Sequence, residues 1–153
     1  MARVEIRIVA YDHTDARALI EEVQQEYVIR YGGPDASRVD PAEFGPPLGL
    51  FLVGYLDGVA VSCGGWRAHA DGSVELKRMY VVPAARGRGL ARAMLAELEL
   101  SAKRAGHHRL ILETGSKQPE ALALYRSSGY TDVPRFGHYA DWPLSVHLGK
   151  SLG

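Results

Sequence analysis

The chain has 153 residues, 46% of them hydrophobic, and its 18 Lys and Arg balance 18 Asp and Glu. Zero formal net charge argues against a general nucleic-acid or anionic-membrane binder, and no stretch approaches the ~20 apolar residues of a membrane span. The single cysteine, Cys63, leaves no internal disulfide and suits a reducing, cytoplasmic setting.

The length fits one domain over residues 1–153. The opening residues, MARVEIRIVAYD, lack the apolar run of a signal peptide, and residues 4–10 (VEIRIVA) alternate at period two, as a strand does. From Ala16 onward, Leu19, Ile20, Val23, Tyr27 and Tyr31 recur at helical spacing. Asp12 or Thr14 can cap that helix and Gly32-Gly33 can end it. Residues 34–49 are broken by proline and glycine and leave room only for a short helical turn at Pro41–Phe44. A connection this long in a compact domain is usually functional or mobile.

Residues 50–56 and 59–68, joined at Asp57-Gly58, read as a hairpin. A turn at Asp71-Gly72 leads into a strand over residues 73–82. In that strand Val74 and Leu76 share a face, whereas Met79 and Val81 fall in the opposite phase. A phase slip of this kind fits either a strand buried on both faces or a β-bulge, which would splay the strand from the one at residues 108–115 (HRLILETG) and open a slot. Between these two strands lies a helix from about Leu90 to Ala105, with Gly106 closing it. Pro119 suits the first turn of a last helix ending near Ser128-Gly129, and two weaker strands follow at 130–133 and 144–148. The order β-α-β-β-β-α-β-α-β-β implies an α/β sandwich with a mixed sheet.

The junction MYVVPAARGRGLARAMLAELE, residues 79–99, places two glycines among arginines between a strand and a helix. The first amides of a helix have no intrahelical partner, and the helix dipole adds partial positive charge there, so such a junction can hold phosphate. Gly87 and Gly89 let an oxyanion approach the backbone, and Arg86, Arg88 and Arg92 add attraction. The dinucleotide fingerprint G-x-G-x-x-G fails because its last position is Arg92. The P-loop fails because Leu144 stands where Gly149-Lys150-Ser151 would need a glycine. No zinc-type His/Cys spacing and no G-x-S-x-G serine site is present.

The stretch VVPAARGRGLARAML resembles the acyl-CoA pyrophosphate loop of the GNAT superfamily of N-acetyltransferases, and QPEALALYRSSGY (118–130) resembles that superfamily's later helix. Both motifs stand in the family's order, and the element order matches along nearly the whole chain. The resemblance implies a mixed, mostly antiparallel central sheet flanked by helices, with the bulged fourth strand opening a cofactor slot. It implies acetyl-CoA as co-substrate and no metal. It places Gly87, Arg88, Gly89, Leu90, Ala91 and Arg92, behind Arg86, around the pyrophosphate, and Met79, Tyr80 and Val81 along the pantetheine arm and acetyl carbonyl. Gln118 stands where the family often has asparagine.

The implied reaction is direct attack of a primary amine on the thioester in a ternary complex. An alkylammonium must first lose a proton, at a cost of about 4–5 kcal/mol near neutral pH, so a carboxylate base is expected. Glu113, near the end of its strand beside the slot, is one candidate, and some family members carry a catalytic glutamate at the equivalent place. Glu75, on the bulged strand and sharing a face with Lys77, is the other. The resemblance puts the Tyr125 hydroxyl near the departing sulfur as proton donor. Cys63, inside an apolar strand, suits packing better than catalysis. The acceptor should meet residues 31–49 and 134–145, whose Asp35, Asp40, Glu43, Tyr139, Asp141 and Trp142 would suit a cationic small-molecule amine. A protein N-terminal or lysine acetyltransferase and a non-catalytic acyl-CoA-binding module are the alternatives, and a homodimer is compatible with the family.

Overall fold

The periodicities of the sequence are realised in a computed structural model, which describes residues 3–153. In chain order the elements are β1 (Glu5–Ile8), α1 (Thr14–Tyr31), a 3-10 turn (Pro41–Phe44), β2 (Gly49–Leu56), β3 (Val59–Ala68), β4 (Ser73–Val81), a 3-10 turn (Pro83–Ala85), α2 (Leu90–Arg104), β5 (Arg109–Gly115), α3 (Pro119–Ser127), β6 (Thr131–Asp132) and β7 (Ser145–Ser151). The seven strands form one sheet in the order β1-β2-β3-β4-β5-β7-β6. Only β4 and β5 run parallel; every other neighbouring pair is antiparallel. No helix among the described residues is long and apolar enough to cross a membrane.

Local chemistry accounts for most element ends. The cap of α1 is neither Asp12 nor Thr14 but His13, whose Nδ1 accepts the Asp15 amide at 3.0 Å; an unprotonated imidazole nitrogen offers the same lone pair as a capping oxygen. Gly32 ends α1 at φ 82°, a left-handed value that suits glycine. The expected strand at 130–133 shrinks to Thr131–Asp132, while the one expected at 144–148 extends to Ser151. The extension comes from seven successive pairs with β5, Gly115 to Arg109 against Ser145 to Ser151. That ladder overrides the weak strand preference of Gly149-Lys150-Ser151.

The sheet is buried on both faces. Leu50, Leu52, Trp66, Val74, Leu76, Leu110 and Leu112 pack with Met94, Leu95 and Leu98 of α2 and Tyr125 of α3. Phe51, Val53, Tyr55, Cys63 and Tyr80 pack with Ala16, Leu19 and Val23 of α1 and with Phe44. A strand sandwiched in this way reads as a nearly continuous apolar run, as β2 does.

The predicted bulge forms. Cys63 pairs with Tyr80 but Gly65 pairs with Lys77, so Arg78 and Met79 together stand opposite Gly64. Arg78 takes φ 60°, a left-handed value that costs a non-glycine residue about 1–2 kcal/mol. The extra residue moves Met79 onto the face of Val74 and Leu76, and Tyr80 onto the opposite one. The parallel strands part before the bulge is reached: β4 and β5 pair only over Ser73–Glu75 and Arg109–Ile111.

Two cations on one carboxylate fasten the bulge to the connection after α1. Asp35 Oδ2 accepts from Lys77 Nζ at 2.7 Å and from Arg78 Nη1 at 2.5 Å, with all three side chains at most 12% exposed. Burial pushes the Asp35 carboxyl up, but the Lys77 and Arg78 charges outweigh it and hold the group well below the usual range. Removing one partner of a buried pair strands the other charge. Asp35→Asn should therefore destabilise the protein by about 3–5 kcal/mol in a urea melt at pH 7. Because the folded carboxyl titrates below the unfolded one, this contribution is complete above the unfolded value. The gap between wild type and variant should therefore close only below about pH 4.

Candidate active site

The parted strands enclose a cavity of about 710 Å³ whose walls include Leu76 to Val81 of β4 and Leu112 to Gly115 of β5. At one end it reaches the start of α2. Gly89, at φ 77°, occupies the N-cap without a side-chain hydrogen bond, and Gly87 holds φ 80°. A Cβ at either glycine would meet nothing within 4 Å, so the need is for backbone conformation and open approach rather than packing room. The amides of residues 87–92 donate to no acceptor among the described residues; the series resumes with Ala93 N–H to Gly89 O. Six free donors at the positive end of a 15-residue helix form an anion cradle.

The arginines around it divide. Arg86 turns back onto the Val81 carbonyl at 2.9 Å and Glu26 at 2.9 Å, which holds the turn in place. Arg92 reaches Ser127 and Ser128 at the end of α3. Arg88 is exposed and does not line the cavity. Main-chain donors, with Arg86 and Arg92 on the walls, thus dominate this end.

Further in, Gln118 Oε1 accepts from Thr114, Gly115 and Tyr31 at 3.3–3.4 Å, and its amide nitrogen has no partner among the described residues. Tyr125 is 5% exposed, yet its hydroxyl makes no hydrogen bond among the described residues and it lines the cavity. Burial pushes its phenol up, so it stays protonated. Cys63 is fully buried, its thiol is pushed up by burial, and it contacts the Arg78 carbonyl.

A second cavity, of about 630 Å³, opens beside the first, and Lys77, Glu113 and Tyr139 line both. Its floor is the sheet face opposite α2: Arg67 of β3, Glu75 and Lys77 of β4, and Glu113 of β5. Its walls come from residues 37–43 and 136–139. The two carboxylates expected near the reaction differ sharply. Burial raises Glu75, but hydrogen bonding to His69 and the charges of Lys77 and Arg67 win, leaving it lowered. Its Oε1 is taken by Arg67 Nε at 3.2 Å and His69 Nε2 at 3.0 Å. Glu113 has no ion-pair partner among the described residues, and burial holds its carboxyl above the usual range against a hydrogen bond from Ser145 and the charge of Lys77. A carboxylate raised in this way is, once ionised, a better proton acceptor.

Comparison with known proteins agrees with this geometry. The Acetyltransferase (GNAT) family profile matches residues 16–130. The chain belongs to the GNAT family of acetyltransferases. It is therefore an acyltransferase with acetyl-CoA as co-substrate. An "IAA acetyltransferase" of Azospirillum brasilense is 37% identical over 135 residues, 88% of each chain. A Klebsiella pneumoniae structure assigned as an acyl-CoA N-acyltransferase is 33% identical, covers 98% of both chains and superposes with a TM-score of 0.81. The Salmonella typhimurium protein yncA, solved with its cofactor acetyl-CoA, shares the fold at 22% identity and a TM-score of 0.67, over 99% of this chain and 95% of its own.

In this acetyltransferase the acidic loop residues do not all face an acceptor. Asp35 is neutralised by Lys77 and Arg78, and Asp141 lines neither cavity. Tyr139 instead ties the two loops: its hydroxyl accepts the Ala36 amide at 2.7 Å and donates to Asp35 Oδ1 at 3.0 Å. Tyr31 and Trp142 stack edge to face with ring centroids 5.3 Å apart, beside the first cavity.

Sequence reasoning missed Ser145 and His147. The ladder sets Glu113 directly opposite His147, which puts Ser145 diagonally across from it. His147 Nδ1 lies 3.4 Å from the Phe136 amide that donates to it, and its Nε2 shares a hydrogen bond with Ser145 Oγ at 2.7 Å. Burial lowers the His147 pKa, which favours the neutral ring, and the Ser145 hydroxyl acts on Glu113 in the direction that favours its charged form. The only signal in the sequence is the alternation Ser145, His147 on a short strand. Ser145→Ala removes a group that favours the charged form of Glu113, so the carboxyl should titrate higher in the variant than in wild type. Carbon NMR of the labelled Glu113 carboxyl across pH 4–8 would measure the shift.

Proposed function

We propose that this acetyltransferase moves the acetyl group of acetyl-CoA to the primary amine of a small molecule by direct attack within a ternary complex. The observation that carries the proposal is the meeting of two cavities at Glu113, one leading from six free amides and the other opening beside it. The diphosphate lies on the amides of residues 87–92. The pantetheine arm follows Met79, Tyr80 and Val81 and passes the Gln118 amide. The thioester then arrives where the β4 edge is unpaired, beside Tyr125.

The acceptor occupies the second cavity and presents its amine to Glu113, directly or through one water. Glu113 takes the ammonium proton, the amine attacks the acetyl carbonyl, and the tetrahedral intermediate expels the coenzyme A thiolate while its nitrogen gives up the second proton to water, which returns one to the sulfur. Tyr125 donates a hydrogen bond to that sulfur. Its raised pKa makes full transfer to a thiolate, whose reference pKa is ~8.5, strongly uphill, so the phenol stabilises the leaving group without giving up its proton. No covalent relay is needed, and Cys63 is held away from the cavities. The Tyr139 bridge to Asp35 and Ala36 narrows the acceptor side, which favours a small molecule over a peptide chain.

Glu113→Gln should lower kcat by about 100-fold and Tyr125→Phe by about tenfold. Coenzyme A affinity measured by calorimetry should stay within about twofold in both, since neither touches the diphosphate. Thiol release from acetyl-CoA across an amine panel provides the turnover measurement, and wild-type rates in both variants would overturn the assignment.

A further inference from the structure

Resting on that reading, we infer that Tyr27 is a further catalytic residue, whose hydroxyl donates a hydrogen bond to the acetyl carbonyl oxygen and holds it as that oxygen becomes the oxyanion of the tetrahedral intermediate. Leu19, Val23, Tyr27 and Tyr31 fall four residues apart and so form one stripe along α1. The early part of the stripe is fixed on the sheet, where Leu19 and Val23 pack with Cys63 of β3 and Tyr80 of β4. Its last member reaches β5: Tyr31 lies so close over Gly115 that a Cβ there would overlap its phenol. Tyr27 stands between them, one helical turn of about 5.4 Å from each neighbour in the stripe. It lines the first cavity, where β4 and β5 have parted.

Five tyrosines line that cavity, and three of their hydroxyls are already engaged. Tyr31 donates to Gln118 and accepts the Lys117 amide, Tyr80 donates to Glu22, and Tyr139 bonds Asp35 and the Ala36 amide. Tyr27 and Tyr125 have no hydrogen-bond partner among the described residues. Neither hydroxyl is sealed from the cavity, because the fully buried side-chain atoms that lack a partner among the described residues are Ser62 Oγ and Arg78 Nε. The two phenols approach the gap from opposite faces of the sheet, Tyr125 with the core on the α2 side and Tyr27 with the core under α1. Burial pushes the Tyr27 phenol up, and of the groups acting on it from nearby Arg78 lowers it while Tyr125, Asp35 and Glu113 raise it. The hydroxyl therefore keeps its proton and has it free to donate.

The carbonyl carbon of a thioester carries its sulfur and its oxygen in different directions. With Tyr125 at the sulfur, Tyr27 is the free phenol left for the oxygen. The attacking amine is not its target, since Tyr27 lines the cofactor cavity and not the second one. As the nitrogen lone pair forms the new C–N bond, the carbonyl π pair moves onto oxygen, and the hydrogen bond from Tyr27 strengthens with the growing charge. When the intermediate collapses, that pair re-forms the carbonyl and the C–S bond breaks. The phenol retains its proton throughout.

The test compares wild type with Tyr27→Phe, which removes only the hydroxyl. Thiol release with an amine acceptor gives kcat, and thiol release without one gives the slow hydrolysis of acetyl-CoA, which passes through the same oxyanion. Calorimetry with coenzyme A gives the affinity and the number of working sites per chain, which corrects for any misfolded fraction. The infrared carbonyl band of bound acetyl-CoA, isotope-labelled at the carbonyl carbon, reports the hydrogen bond directly. We expect kcat and hydrolysis both to fall by about 100-fold, affinity to stay within about twofold, and the bound carbonyl band to move back toward its position in free acetyl-CoA. A kcat within about threefold of wild type, a carbonyl band that the substitution leaves in place, or a loss confined to the KM of the amine would each overturn the inference while leaving the acetyltransferase reading intact. Wild-type rates in Glu113→Gln and Tyr125→Phe would instead sink that reading, and the inference with it.

Discussion

The site depends on one backbone event, the extra residue that β4 inserts opposite Gly64. Parallel neighbours in a sheet normally stay together, because unpaired amides and carbonyls between them are costly. β4 leaves β5 after three pairs, on the approach to the bulge at Arg78 and Met79, and the edge so exposed becomes the wall of a cavity. Strain at Arg78, which holds a left-handed conformation without being glycine, is offset by its guanidinium's pairing with Asp35. The same ion triad anchors the connection following α1, so the bulge and the loop that walls the second cavity share a single buried fastening.

The sheet face opposite α2 is divided along its width. Over β2 and the centre of the sheet it carries Phe51, Val53, Cys63 and Tyr80 against α1. Toward β5 and β7 it carries Arg67, Glu75, Lys77, Glu113, Ser145 and His147, where loops rather than a helix provide the cover. Loops leave room for solvent and ligand, so charges can persist at this end. Glu113 is distinguished from Glu75 by environment alone: both are carboxylates on neighbouring strands, but one is surrounded by cations and the other is desolvated beside a hydroxyl. This is how identical side chains take on different acid–base roles.

Much of the architecture was legible. The hairpin at Asp57-Gly58, the 3-10 turn at Pro41–Phe44 and the start of α2 at Leu90 follow from turn and cap chemistry between neighbouring residues. The phase change between Leu76 and Met79 was legible, because side-chain period is a property of the strand itself, but only the register with β3 separates a bulge from a strand buried on both faces. The His13 cap escaped notice because capping expectations centre on oxygen acceptors. The full reach of β7 escaped because Gly149, Lys150 and Ser151 are held by their partners on β5 rather than by any preference of their own.

Sequence by itself determined the order of elements, the glycine junction that leaves residues 87–92 with free donors, and the family to which the chain's motifs point. These are local: each depends on residues within a turn or two of one another, whose conformations short-range sterics and hydrogen bonding decide. Tertiary structure alone decided that Asp35 is spent on Lys77 and Arg78, that Glu75 is neutralised while Glu113 is left unpaired, and that Ser145 and His147 stand behind Glu113. Those outcomes join groups as far apart in the chain as positions 35 and 78, and their charge states follow from distance and desolvation, which exist only once the strands have found their register.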